Sequence, residues 1–233
     1  MSAADIHSYA NPQESRVRHV ELDLAVSFAE RKLRGAATLE LAPAGRRLVL
    51  DTRGLTIRRV NGRTDNFRLG PEDAILGAPL EIDLEPGERS VLIEYETSPE
   101  ASGLQWLEPS QTAGRRHPFL YSQSQAIHAR SWIPLQDSPA VRVTFSARIH
   151  APVPLKALMA ARRVKDGHFH MPLPVPPYLM ALAVGDVEFR ALGPRTGVWA
   201  EPAVLDAAAW EFADVEKMVE AAERLYGRYR WGR

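Results

Sequence analysis

Ser122–Gln123–Ser124–Gln125 sets two primary amides two residues apart. If Tyr121 to Ile127 is a strand, Gln123 and Gln125 point the same way, because side chains two apart share a face of an extended chain. Each amide offers a carbonyl acceptor and an NH2 donor. Side by side they can grip a peptide-like ligand, with oxygen to an ammonium and nitrogen to a carbonyl. The same pattern also suits a solvated polar strand face, and residue types alone leave both readings open.

The histidines offer two further arrangements. His168 and His170 lie two apart on an expected strand, so their rings share a face and can share a metal ion. A third ligand is not evident nearby, and the alternative is a solvent-facing pair on an edge strand. His128 follows Gln125–Ala126–Ile127 and can either serve as a base or satisfy a buried backbone group. No G-x-S-x-G elbow, P-loop, dinucleotide glycine fingerprint or H-E-x-x-H occurs. The chain holds no Cys, which removes disulfides, thiolate zinc sites and thiol nucleophiles. Lys+Arg and Asp+Glu each total 29, and this balance argues against a polyanion partner. The expectation is therefore no nucleic acid and, with no apolar run near the ~18 residues a span needs, no membrane. The first residues are polar and carry Asp5 and His7 where a secretory signal would be basic and then apolar. The expected location is the cytoplasm.

The elements that must position these residues read as strands. Val20, Leu22, Leu24, Val26 and Phe28 alternate with Glu21, Asp23 and Ser27, the pattern of a half-buried strand. The same period returns in Ala37–Leu41, Leu48–Leu50, Leu55–Ile57, Leu80–Leu84, Val91–Tyr95 and Val141–Ile149. Asn61–Gly62 and Pro86–Gly87 are turn signals between them. Strands at this spacing predict an antiparallel β domain. Tyr178–Val184 is continuously apolar and ends at Gly185. It suits a strand buried on both faces or a short buried helix, and the flanking Pro176, Pro177 and Gly185 favour the strand.

Near residue 201 the character changes. Ala and Glu become frequent, and Val215, Val219, Ala222 and Leu225 or Tyr226 fall on one helical stripe. Pro202 suits a first helical turn and Asp214 the start of a second helix. One bent helix or two short ones breaking near Ala213 are expected, with Gly227 as the stop. This divides the chain into a β domain over 1–200 and a helical segment over 201–233. Tyr226, Tyr229 and Trp231 crowd the end. Domains seldom finish on aromatics with nothing to cover them, so the expectation is a longer protein. The other reading folds these rings back on the sheet.

The stretch from Tyr121 to Arg142, YSQSQAIHARSWIPLQDSPAVR, resembles the N-terminal domain of leukotriene A4 hydrolase and its bacterial aminopeptidase relatives, within the zinc aminopeptidase superfamily that includes aminopeptidase N. The likeness continues through Ala157–Ala160, Pro174–Gly185 and Gly193–Glu201, and ends in Tyr229–Gly232. The Ser-Gln-x-Gln-Ala-Ile-His and Gly-Pro-Arg-Thr strings are specific to this branch.

The resemblance implies a mainly β, saddle-like antiparallel domain that precedes a zinc-bearing catalytic domain with G-x-M-E-N and H-E-x-x-H. It implies a parent that removes N-terminal residues from peptides. The Ser-Gln-x-Gln segment would help bind the substrate's N-terminal end, a role that falls on Gln125 first, then Gln123, with Ala126 as pocket wall. This sequence carries neither G-x-M-E-N nor H-E-x-x-H. The expectation is therefore no catalytic residue, no metal ligand and no cofactor in this chain, with zinc held by the parent's catalytic domain. That domain and a peptide N-terminus are the expected partners, and the chain alone is expected not to cleave peptides. The alternative is a free-standing β-rich module that binds a peptide or protein without enzyme activity.

Overall fold

Leucine and valine at every second position commit the first half of the chain to strands, and the computed structural model, which describes residues 5–230, arranges them in four sheets. β1 (Val17–Ser27) and β2 (Lys32–Leu41) form a long hairpin. β3 (Arg47–Thr52), β4 (Thr56–Val60), β5 (Phe67–Leu69), β6 (Ala78–Asp83) and β7 (Ser90–Glu96) follow at short intervals. β8 (Leu104–Leu107) and β9 (Phe119–Ser122) lead to the glutamine segment. Then come β10 (Val143–His150), β11 (Lys156–Met159), β12 (Arg162–Lys165), β13 (His168–Val175), β14 (Leu182–Gly185), β15 (Glu188–Ala191) and β16 (Gly197–Ala200). Helices α1 (Leu205–Glu211) and α2 (Val215–Tyr226) close the described chain.

The largest sheet runs β12-β13-β10-β1-β2-β7-β4, and the others run β11-β14-β9-β8, β3-β6-β5 and β15-β16. The mainly β architecture agrees with the alternation. Its antiparallel character has one exception: β1 pairs with β10 in parallel, His19 beside Thr144 and Ala25 beside His150. Hydrophobic period sets which face of a strand is buried but not the direction of its neighbour. Asn61 (φ 51°) and Gly62 (φ 75°) adopt the left-handed conformation that a tight hairpin turn demands, and Val60 and Arg63 exchange hydrogen bonds across it.

Inward residues of these strands form one apolar core, which includes Leu22, Leu24, Leu39, Ile82, Phe145 and Val184. The segment Ala129–Ser138 lies wholly buried among them without being a strand. A buried irregular segment is stable only if its polar groups find partners. The carbonyl of Leu135 accepts from the Asp51 N–H, that of Arg130 from the Arg53 N–H, and that of Trp132 from the Tyr95 hydroxyl. The Gln136 side chain accepts from the Val17 N–H and donates to the Ser15 carbonyl. Arg130, fully buried, donates to the Asp137 carboxylate and to the carbonyls of His7 and Leu76. Asp51 accepts from the Ser8 hydroxyl and from the Tyr9 and Asp137 N–H groups. The polar lead-in is therefore fastened to the core through this plug.

Tyr178–Gly185 divides: Pro177–Leu179 is a 3-10 turn and the strand begins at Leu182. The C-terminal segment forms two helices that break at residues 212–214. Asp214 occupies the N-cap position of α2, but its carboxylate binds Lys217 instead of a backbone N–H. Gly227 (φ 87°) ends α2. Trp231 and Gly232 lie outside the described residues.

Candidate functional site

The polar segment that follows β9 does not continue as a strand to Ile127. β9 ends at Ser122, and residues 125–128 form a turn closed by the His128 N–H donating to the Ser124 carbonyl at 2.9 Å. The expected strand face shared by Gln123 and Gln125 is thus replaced by a turn that carries Gln125 and Ala126 at its exposed bend. The reason lies in the serines. The Ser124 hydroxyl, buried, donates to the Met180 carbonyl at 2.8 Å and accepts from the Trp132 indole N–H at 3.1 Å. The Ser122 hydroxyl accepts from the Leu182 N–H at 2.8 Å. These bonds hold the segment's inner side against β14 and the buried plug.

The β8–β9 ladder extends one step further, with the Gln123 N–H donating to the Gly103 carbonyl at 2.9 Å. Gly103 is required here because a Cβ would lie 2.6 Å from the His128 carbonyl oxygen and 2.8 Å from the Ser131 hydroxyl. Ser131 completes the frame, accepting from the Gly103 N–H and donating to the His128 carbonyl. The outcome is a backbone pinned on one side, with the side chains of Gln123, Gln125 and Ala126 exposed on the other. The Gln125–Ala126 peptide bond is cis.

His128 turns inward, and its Nδ1 lies 2.8 Å from the Ser102 hydroxyl. Burial, with Arg53 and Arg130 nearby, lowers its pKa, so the ring is neutral and acts as a clamp between two turns. Its partner is a hydroxyl and not the backbone group the sequence suggested. His168 and His170 share a face of β13, with Phe169 buried between them. β13 is not an edge strand, since β12 lies outside it. The Arg148 guanidinium donates to His168 Nε2 at 3.0 Å, so that lone pair is engaged. Among the described residues no group of three or more His, Cys, Asp or Glu side chains could hold a metal ion. The described residues do not fit a zinc centre.

The residues that fix the turn, namely Ser122, Ser124, Gly103, Ser131 and Trp132, were not singled out from sequence. The signal available was the alternation itself: in S-Q-S-Q one pair must face inward, and a hydroxyl satisfies a buried carbonyl more compactly than a primary amide does.

A second charged constellation sits on the exposed face of the large sheet. Glu96, buried, accepts from Lys32 at 2.7 Å, Arg58 at 2.8 Å and Arg34 at 3.1 Å. The hydrogen bonds from Arg58 and Lys32 hold its pKa down at about 2.

The chain belongs to the Peptidase M1 N-terminal domain family, whose profile matches residues 16–169. It is 41% identical to leukotriene A-4 hydrolase of Xenopus laevis over 98% of its own length and 41% of that protein's. It is 38% identical to leucine aminopeptidase 2 of Yarrowia lipolytica, over 97% of this chain and 37% of the relative. Yeast LTA4 hydrolase in complex with bestatin superposes with a TM-score of 0.91 at 33% identity, over 99% of this chain and 38% of that one. An M1 zinc metallopeptidase from Deinococcus radiodurans superposes with a TM-score of 0.68 at 25% identity, over 93% and 54%. The chain thus spans about two fifths of the length of the curated relatives it matches. No helix among the described residues is long and apolar enough to cross a membrane.

Proposed function

We propose that this chain supplies the amine-side wall of the active site in a zinc-dependent aminopeptidase, and docks against a catalytic domain of the same protein that holds the zinc. The observation that carries the reading is the pinned turn, whose inward serines leave Gln125, Gln123 and Ala126 displayed together, with no competing hydrogen bond to the two side-chain amides among the described residues. The Gln125 amide oxygen accepts from the substrate's ammonium, Gln123 adds a second polar contact, and Ala126 gives the first residue an apolar wall.

The helical end supports the docking half. Helix α2 is tied to the β15–β16 hairpin by charge: Arg195 binds Glu216 and Glu223, and Thr196 binds Glu216. Arg190 likewise pairs with Asp206 of α1. The opposite side of α2 leaves Met218, Tyr226 and the following Tyr229 exposed beside an apolar groove of about 370 Å³. A helix fastened by its polar side and open on its apolar side suits a covering partner. We read residues 1–200 as the β domain and 201–233 as the segment that leads to that partner. The same reading puts the enzyme in the cytoplasm, which cell fractionation checks.

Gln125→Ala in the enzyme formed with the catalytic domain tests the site. Loss of an amide contact to a charged amine removes roughly 1.5–3 kcal/mol, or about ten- to a hundredfold in kcat/KM. Unchanged kinetics would take Gln125 out of the site.

A further inference from the structure

β12 closes one side of the seven-stranded sheet, and its outer edge has no hydrogen-bonded neighbour among the described residues. All four of its residues are exposed, and Arg162, Arg163 and Lys165 are cationic. Cross-strand register sets Arg162 beside His170 and Lys165 beside His168, with Ser146 and Arg148 next along the two rows. These side chains share one face of the sheet. Desolvation, with the Lys165 and Arg148 cations nearby, lowers the pKa of His168. Arg163 pairs with Asp166 and Arg148 with Asp23, whereas Arg162 and Lys165 have no acidic partner among the described residues. The opposite face of the strand differs. There Arg163 lies 5.3 Å over the Trp199 ring, and Trp199 packs on Phe189, which is 52% exposed.

We propose that β12 accepts an extended acidic segment of a partner protein as an added strand, with carboxylates two residues apart facing Arg162 and Lys165. A bare edge is a template for another strand, and short length, bulges and cations guard it against indiscriminate pairing. The cations of β12 also choose. On the sheet's other edge strand, β4, acids stand across from the arginines: Arg58 pairs with Glu96, and Arg59 lies opposite Glu94. On β12 histidines stand there instead, and the positive charge is left uncompensated. The bulge between Arg163 and Lys165 brings Arg162 and Lys165 into step with His170 and His168, which are two apart. An added strand with acids at alternate positions therefore meets both cations, and the residue between the acids lies on the aromatic side toward Trp199. Backbone hydrogen bonds hold the segment and charge selects it. A nucleic acid suits this strip poorly, because one strand further in the same face turns acidic, with Glu21 beside Ser146 and Asp23 beside Arg148.

The test uses the enzyme formed with the catalytic domain and an N-acetylated, fluorescein-labelled peptide that alternates Glu and Val, read by anisotropy. The acetyl group removes the ammonium, so the glutamine turn has no amine to hold and Gln125→Ala should leave the affinity unchanged. Saturable binding that weakens as salt is added is expected. Arg162→Glu combined with Lys165→Glu should weaken it about tenfold or more. Methylating the peptide's backbone nitrogens should weaken it about as much, because an added strand needs those donors. Both substituted side chains are exposed, and an unchanged melting temperature checks that the variant folds. Absence of binding to the wild type would overturn the proposal, as would equal affinity in the double variant or for the methylated peptide. A peptide alternating Lys and Val, or a short single-stranded DNA, that binds as tightly as the acidic peptide would overturn it too.

Discussion

The indole N–H of Trp132 donates to the Ser124 hydroxyl, and that hydroxyl donates onward to the carbonyl of Met180. Through this relay a fully buried aromatic residue of the plug sets the backbone of the exposed turn that carries Gln125. Ser124→Ala leaves the Trp132 N–H and the Met180 carbonyl without partners in the core. The expected cost is about 1–3 kcal/mol of folding stability, read from urea denaturation. In the enzyme formed with the catalytic domain, the loosened turn should also raise KM more than it lowers kcat. Full stability in Ser124→Ala would show the relay to be dispensable.

The chain by itself should not hydrolyse aminoacyl anilides, since the proposed amine site holds a substrate's end but carries out no bond cleavage. Turnover by the purified chain at a rate typical of intact aminopeptidases, with contaminating activity excluded, would refute the division of labour proposed here.

Arg130 is fully buried beside Asp51 and Asp137, 3.7 Å from the first and 3.1 Å from the second. Removing the guanidinium leaves two carboxylates in the core without their counter-charge. Arg130→Ala should therefore cost about 3–5 kcal/mol or prevent folding. Arg130→Lys should recover only part of the loss, because an ammonium cannot reach Asp137, Leu76 and His7 together. Equal denaturation midpoints for wild type and Arg130→Ala would contradict this.

Glu96 predicts an acid limb. Its folded pKa of about 2 lies below the ordinary value of 4.5. A depressed carboxyl contributes stability in full above the unfolded value, and that contribution is lost as pH falls from 4.5 toward 2. Denaturation midpoints across this interval should fall less steeply in Glu96→Gln than in wild type. Parallel curves would mean that Lys32, Arg34 and Arg58 do not hold the carboxylate in solution.

The exposed aromatics of α1 and α2 should make the isolated chain prone to self-association. Tyr226 is 86% exposed and Trp210 79%. Replacing Tyr226 and Met218 by serine should shift the sedimentation profile toward monomer. An already monodisperse monomer at high concentration would count against a docking role for α2.

Much of the scaffold was readable from period alone. The alternation in Val20–Phe28 located β1, Asn61–Gly62 located the turn after β4, and the change in composition near residue 201 located the helices. The parallel pairing of β1 with β10 was not readable, because pattern carries no information about distant partners. The plug was equally opaque: Arg130, Gln136 and Asp137 are polar types that sequence places at the surface, and only their network explains their burial. At the site, the resemblance directed attention to Gln123, Gln125 and Ala126. The end of β9 at Ser122 could not be foreseen, since it depends on Leu182 and Met180, sixty residues further along the chain.

The pairing of β1 with β10 also has a consequence for folding during synthesis. His19 meets Thr144 across 125 positions, so one border of the first strand stays open until β10 has been translated. The earliest-made hairpin must wait, with an adhesive rim, for a neighbour not yet synthesised. Rare codons or a stall between β2 and β10 would prolong that wait and favour misassembly of nascent chains, whereas stalls after Val175 would find the large sheet already complete.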